Sequence, residues 1–499
     1  MPCIVRRSDG TPRPGAPARL SPAAFSSRFP PQTITNRGPA MNFEPLFTTR
    51  REFLRTTVLG GALAWTVPSF IAQTFSSLHA EALNSTTQTA TGKDSPILVI
   101  IQLAGGNDGL NTVIPYSNDF YYKARPTLNV PGQNQLTLND QLALPATMPE
   151  FKALFDEGNL AVINGVGYPN PNRSHFRSTE IWQSASDAER AEMHGWIGRY
   201  FDNCCQGADP TVGIAIAGQT PQAFVAERPT GISLDNPRNY RFVSSNNKMK
   251  GAVDNEEYFY RQLNKMDTTH GGEPNMAGSG GGEVEPNAGG SIGAVAGSVT
   301  TSGSNLDFLE RTAMDAQISS DKIRAILSKT TTQAPYPNYA LANNLRMVSQ
   351  LIAAGMPTRV YYVSLGGFDT HTNQAGAHDR LLTELSRSVS AFVADLKAQG
   401  NFDRVMLMTF SEFGRRVAQN GSGGTDHGTA APMFLIGPKL KPGLIGEYPS
   451  LDPKNLDQGD LKFSTDFRRV YATILDKWLK APSEKILARK FEPLPLGLA

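Results

Sequence analysis

The stretch Ser95-Pro96-Ile97-Leu98-Val99-Ile100-Ile101-Gln102-Leu103, followed at once by Ala104-Gly105-Gly106-Asn107-Asp108, decides the fold. It is an apolar run with no alternation. A strand exposed on one face would alternate, so this run predicts a strand buried on both faces, the mark of a parallel sheet covered by helices. Similar runs recur at Leu160–Val166, Val212–Ala217, Arg359–Leu365, Arg404–Phe410 and Met433–Ile436. Between them lie helical patterns. In Ala377–Gln399, the residues Leu381, Leu385, Val389, Phe392 and Leu396 fall at helical spacing with charges on the opposite side. Asn305–Lys329, Tyr339–Ala354 and Thr465–Leu479 also read as helices. Strand–helix alternation of this kind predicts an α/β fold: a three-layer sandwich with a mostly parallel central sheet, spanning 95–490.

Outward from that core, the N-terminal region reads as an export signal. Thr48-Thr49-Arg50-Arg51-Glu52-Phe53-Leu54-Arg55 has the twin-arginine form, and a modest apolar run from Val58 to Phe75 follows it. Gly60, Gly61 and Pro68 soften that run, which is too polar and broken for a stable membrane span. Ala80-Glu81-Ala82 supplies the small-x-small pattern of a signal peptidase site. The expected organisation is a signal peptide over 41–82 and a linker over 83–94. Residues 1–40, rich in Pro and Arg, read as a disordered extension or as lying ahead of the true start, because Met41 opens a better signal peptide than Met1. The expected destination is the periplasm or the extracellular space, with the twin-arginine translocase as the partner in export. That route carries folded cargo, often with a cofactor loaded, which favours a bound metal.

The formal net charge of +2 hides an asymmetry. Setting aside the nine Arg and four acids of residues 1–82 leaves 38 basic and 41 acidic side chains, near −3. No basic block suggests nucleic-acid binding. Cys3 falls in the extension, and the adjacent Cys204-Cys205 can close only a strained ring, so no disulfide framework is expected. Thr268–Asn305 is Gly-rich with almost no large apolar residue and reads as a disordered insertion. Its Gly289-Gly290-Ser291-Ile292-Gly293 matches a Ser-hydrolase elbow in form only, lacking the strand before and the helix after.

In open α/β sheets, ligands bind beyond the carboxyl ends of the strands. After the first run comes Gly105-Gly106-Asn107-Asp108-Gly109, and after Tyr361–Leu365 comes Gly366-Gly367-Phe368-Asp369-Thr370-His371, with His378 a short step on. After Val405–Phe410 comes Ser411-Glu412-Phe413-Gly414-Arg415-Arg416, and before Met433–Ile436 sits Gly424-Thr425-Asp426-His427-Gly428. Of only seven His, three lie in these loops and His175 lies in a fourth candidate, Arg173-Ser174-His175-Phe176. Scarce imidazoles gathered with carboxylates at strand ends suit a divalent metal. The plainer alternatives are a hydrogen-bonded loop His and an Asp serving as a helix N-cap.

These loops, in this order, resemble the DUF1501 family of twin-arginine-exported proteins over about 45–480. That family in turn resembles the alkaline phosphatase and sulfatase superfamily. The resemblance implies an alkaline-phosphatase-like fold, two divalent ions and a Ser or Thr nucleophile. It places Asp108 as the first-strand ligand and Ser174 as the nucleophile. Asp369 with His371 or His378, plus His427 beside Asp426, resembles one ligand set. Glu412 resembles the acid of the other, but Phe413 stands where that set's His is expected. The ion would be zinc, manganese, magnesium or calcium. Arg173, Arg199 or Arg415 could hold an anion in a forked contact. The expected function is an exported metal-dependent hydrolase of a phosphate or sulfate ester, on a small molecule or a polymer. The alternative is a non-catalytic surface or scaffold protein that kept the fold.

Overall fold

The computed structural model describes residues 95–206, 208–227, 231–234, 322–438 and 440–498. The expected leader, linker and Gly-rich insertion lie outside the described residues. Among the described residues there are eleven strands: β1 (Ile97–Leu103), β2 (Gln135–Thr137), β3 (Ala143–Pro145), β4 (Leu160–Gly167), β5 (Gly213–Ile216), β6 (Ile232–Ser233), β7 (Val360–Leu365), β8 (Val405–Phe410), β9 (Ala431–Ile436), β10 (Gly443–Ile445) and β11 (Thr465–Asp466). The helices that matter here are α1 (Gly109–Thr112), α2 (Asp119–Ala124), α3 (Pro149–Asp156), α4 (His175–Ser184), α5 (Trp196–Cys204), α6 (322–329), α7 (Ala340–Ala353), α8 (Gln374–Ala398) and α9 (Phe467–Thr473).

Nine strands form one sheet in the order β10-β4-β9-β8-β1-β7-β5-β6, with β11 also paired to β4. β1 is central and parallel to both β7 and β8. Every pairing within this sheet is parallel except those of β9, which runs against β4 and β8. The sheet is therefore mostly parallel, with a single reversed strand.

All seven residues of β1 are buried, and they alternate between two cores. Leu98 and Ile100 face a core with Trp182 of α4, Trp196 of α5 and Tyr471 of α9. Ile97, Val99, Ile101 and Leu103 face another with Phe151 of α3, Leu345 of α7 and Val389 of α8. This is the helix–sheet–helix arrangement that the unbroken apolar runs predict. Each fully buried Leu, Ile or Phe contributes about 1.5–3 kcal/mol of hydrophobic stabilisation.

The continuation of the Thr465–Leu479 pattern differs from a plain helix. After α9 the chain widens into a π-helical segment over Ile474–Trp478, which lets Trp478 reach the Ile97 carbonyl with its indole N–H at 2.9 Å. Among the described residues no helix is long and apolar enough to cross a membrane.

Candidate metal centre

β8, β1 and β7 are adjacent and parallel, so the loops leaving them lie side by side at one sheet edge. These loops carry Glu412, Gly105-Gly106 and Asp369. β9 enters the same edge because it is antiparallel, which places the preceding Asp426-His427 beside the loops that follow β8 and β7. The pairing of β8 and β9 resumes beyond the strands as an isolated bridge, Arg415 to His427. Gly105, at φ 117°, allows close contact: a Cβ there would collide with the backbone nitrogen of Asp369.

α4 brings in the last contributor. Trp182 stacks on Phe410 at 5.5 Å and on Phe467 at 4.3 Å, fixing the helix against the sheet. One turn nearer the site, the Ser178 hydroxyl donates to the Glu412 carbonyl. His175, three residues before Ser178 and so on the same face, turns toward the Glu412 side chain.

Three imidazoles surround Asp369. His371 Nε2 lies 3.1 Å and His427 Nε2 3.3 Å from Asp369 Oδ1, and His175 Nε2 lies 3.5 Å from Oδ2. His175, Asp369 and His427 each offer a ligand atom, all within 4.8 Å of one another, a group that could hold a metal ion. Each ring's other nitrogen is tied outward. His175 Nδ1 donates to Glu412 Oε1 at 2.9 Å, His371 Nδ1 to Asp426 Oδ1 at 3.1 Å, and His427 Nδ1 to the Arg173 carbonyl at 2.8 Å. With each proton held on Nδ1, a neutral ring presents its Nε2 lone pair inward. Metal-ligating histidines commonly show this pattern of outward support.

The residues present fit a divalent ion. His175 Nε2 is buried and has no hydrogen-bond partner, an arrangement that costs free energy unless something accepts the lone pair. Imidazole and carboxylate together suit zinc or manganese, and three protein ligands leave room for a further one, as catalytic sites require. Asp369 is about half exposed at 48 %, so the cluster is open on that side. Burial opposes its ionisation, but the hydrogen bond and positive charge of Arg415 outweigh this and hold its carboxyl at about 2. Burial also lowers His427, against the raising effect of its bond to the Arg173 carbonyl.

The sequence-derived candidates fall into three groups. Asp369, His371 and His427 meet in the cluster. Glu412 and Asp426 stand one step back, as acceptors for imidazole N–H groups; hydrogen bonds from Asn420 and His371 hold Asp426 below the usual carboxylate range. Asp108 and His378 are not brought into the cluster. Asp108 is fully buried, pairs with Arg125 Nη1 at 2.5 Å, accepts from Gln374 and caps α1 through the Leu110 amide at 3.2 Å. Burial raises its carboxyl, but the Arg125 guanidinium overrides this and keeps it below the ordinary value. His378, buried on α8, meets Asn107 Oδ1 at 3.0 Å.

The nucleophile and anion-holding candidates are equally specific in placement. Ser174 is exposed at the N-cap of α4, and its side chain makes no bond to the helix amides. Arg173 is paired with Asp460. Arg415 is fully buried and donates to the Gly106, Thr425 and Phe368 carbonyls and, at 2.8 Å, to Asp369 Oδ1. Arg199 donates to the carbonyls of Ile486, His194 and Ser184. His175 is the residue that the sequence pattern left without a role; its signal was its place beside Ser174 in a chain poor in His.

Residues 298–487 match the family model described as "Protein of unknown function (DUF1501)". No protein of curated function matches the sequence. Solved structures that the chain is similar to include Ps i-CgsB in complex with k-i-k-neocarrahexaose, at 11% identity, covering 80% of this chain and 73% of that one with TM-score 0.31. The PsFucS1 sulfatase from Pseudoalteromonas sp. is similar at 10% identity, 86% and 75% coverage and TM-score 0.32. The lipoteichoic acid synthase LtaP from Listeria monocytogenes is similar at 10% identity, with 77% of each chain covered and TM-score 0.28.

Proposed function

We propose that this chain is an exported, metal-dependent hydrolase acting on a phosphate or sulfate ester outside the cytoplasm. The observation that carries the reading is the convergence of three imidazole Nε2 atoms on Asp369, with every Nδ1 tied outward. His175, Asp369 and His427 would hold a divalent ion, with His371 beside them. Such an ion supplies Lewis acidity, polarising an ester oxygen and favouring an ionised hydroxyl nearby.

The chain's own groups supply the rest. Ser174, exposed and next to His175, offers a hydroxyl with no competing helix bond. It sits at the N-terminus of a ten-residue helix, whose free amides favour negative charge on a bound phosphoryl or sulfuryl group. Arg415 keeps Asp369 ionised by direct contact at 2.8 Å. Arg173 sets the other side, its carbonyl holding the His427 ring at 2.8 Å while its guanidinium is occupied by Asp460.

A second reading is a non-catalytic extracytoplasmic scaffold. It is favoured by Arg173 and Arg415 being committed to partners within the fold, which leaves neither as an open fork for an anion. Metal analysis of the purified protein, combined with a panel of phosphate and sulfate monoesters and diesters, tests both. Bound metal with turnover supports the hydrolase. Bound metal with no turnover across the panel supports the scaffold, and absence of metal removes the hydrolase reading.

A further inference from the structure

The geometry points to a site for one divalent ion rather than two, in which Glu412 is a positioning residue that orients His175 and does not itself bind metal. This rests on the proposed metal centre and fixes its stoichiometry. A second ion needs further donors near the first, and the carboxylate oxygens that meet the histidine rings are already engaged. Glu412 Oε1 accepts from the Gly105 amide at 2.8 Å and from His175 Nδ1 at 2.9 Å. Its side chain is almost fully buried, at 3 % exposure. Asp426 Oδ1 is held by His371 Nδ1 and by Asn420, each at 3.1 Å. Asp108 is bound to Arg125, Gln374 and the Leu110 amide.

The two flanks of the cluster are closed to a second cation for different reasons. On one side the Phe413 ring packs against His175 and His427, with centroids at 4.9 and 4.6 Å, and offers no lone pair. On the other, the Arg415 guanidinium already sits 2.8 Å from Asp369 Oδ1 and 3.5 Å from His371 Nε2. A fixed positive charge there repels a second ion and neutralises part of the carboxylate that would bridge to it. Among the described residues, His175, Asp369 and His427 form the group of three that meets the spacing for a metal.

Within this site Glu412 acts through His175. Its carboxylate holds the proton on Nδ1 and so directs the orphaned Nε2 toward Asp369. Supporting residues of this kind typically change metal affinity about 10–100-fold when removed, without entering the coordination sphere.

The test is a titration of the full-length, metal-depleted protein with Co²⁺, followed by visible absorption and calorimetry. Wild type is expected to saturate at one equivalent. Glu412→Ala should still saturate at one equivalent with unchanged band shape, at an affinity lowered about 10–100-fold. Glu412→Gln, whose carbonyl oxygen can accept both bonds, should recover most of that loss. His175→Ala should alter the band shape itself, because a ligand is gone. Saturation of wild type at two equivalents would overturn the proposal while leaving the metal centre standing. So would a changed band shape in Glu412→Ala, or a Glu412→Gln variant as weak as Glu412→Ala. Wild type that binds no Co²⁺ would instead sink the metal centre itself, and this proposal with it.

Discussion

His371 Nε2 and His427 Nε2 stand 3.0 Å apart. Both rings donate from Nδ1 to acceptors outside the cluster, so two neutral rings would bring two lone pairs into contact. A shared proton relieves that repulsion partly. A shared or neighbouring cation relieves it better, because Asp369 adds a third acceptor.

It follows that the protein should be more stable with metal than without. Saturation at a hundredfold excess over the dissociation constant adds about 2.7 kcal/mol, which corresponds to a few degrees of melting temperature in a domain of this size. Differential scanning calorimetry with chelator and then with added Zn²⁺ reads the effect. His427→Ala should show neither the drop nor the recovery. Equal melting temperatures for chelated and Zn²⁺-loaded wild type would contradict the reading.

Asp108 and Arg125 form an ion pair with both side chains fully buried. Removing one member strands the other charge, a loss of about 3–5 kcal/mol for a buried pair. Arg125→Met should therefore destabilise strongly. Asp108→Asn, which keeps the shape, should cost less stability and leave bound metal unchanged if Asp108 is a structural residue. Loss of metal from a folded Asp108→Asn would return Asp108 to the ligand set.

The strands were legible because burial on both faces leaves an unbroken apolar run. The predicted runs and β1, β4, β5, β7, β8 and β9 coincide to within a residue or two at most ends. Direction was not legible. An apolar run reads alike in either sense, so nothing in Ala431–Ile436 announces that β9 is reversed. That reversal is what places His427 at the shared edge. β10 and β11, at three and two residues, are too short for a periodic signal. At the site, sequence showed which loops meet but not which atoms face inward. Glu412 and Asp426 read as ligands because carboxylates in such loops often are; their oxygens turned out to face imidazole N–H groups. The N-cap alternative for an Asp after Gly-Gly describes Asp108 in part, since it does cap α1.

His378 gives the fold a pH dependence of known sign. Burial pushes its imidazole down to about 4, from an ordinary value of 6.5. Between these values the unfolded chain binds a proton that the folded chain does not, so stability rises with pH. The contribution is fully present above about 6.5 and is lost as pH falls toward about 4, with a span of about 3 kcal/mol. Urea unfolding across this range should show the decline, and His378→Gln should flatten it. Asn107 keeps a partner in that variant, because the Thr112 hydroxyl also donates to its Oδ1 at 3.0 Å. An undiminished slope in His378→Gln would assign the dependence to other groups.

Export is proposed from Arg50-Arg51 ahead of a weakly apolar leader. Replacing both with Lys should leave the precursor in the cytoplasm, because the twin-arginine route reads the Arg pair rather than its charge. Cell fractionation with an antibody to the chain decides it. Normal processing and export of the double-Lys variant would show that another route is used.

Ser174 and the metal cluster should separate under mutation. Asp369 and His427 are two of the three residues placed to hold the ion, so Asp369→Ala and His427→Ala should lower bound metal and melting temperature together. Ser174 is exposed and its side chain makes no capping bond, so its loss should leave metal and fold in place. If its hydroxyl is the nucleophile, Ser174→Ala should abolish turnover on any ester that wild type cleaves, while metal content and melting temperature match wild type. Ser174→Cys is a useful companion, since a thiol is a better nucleophile near neutral pH and could retain partial activity. Wild-type turnover in Ser174→Ala would mean that water attacks directly, with the helix amides at Ser174 serving only to hold the anion. Loss of metal in Ser174→Ala would place the hydroxyl in the coordination sphere, a role that its exposed position next to His175 permits.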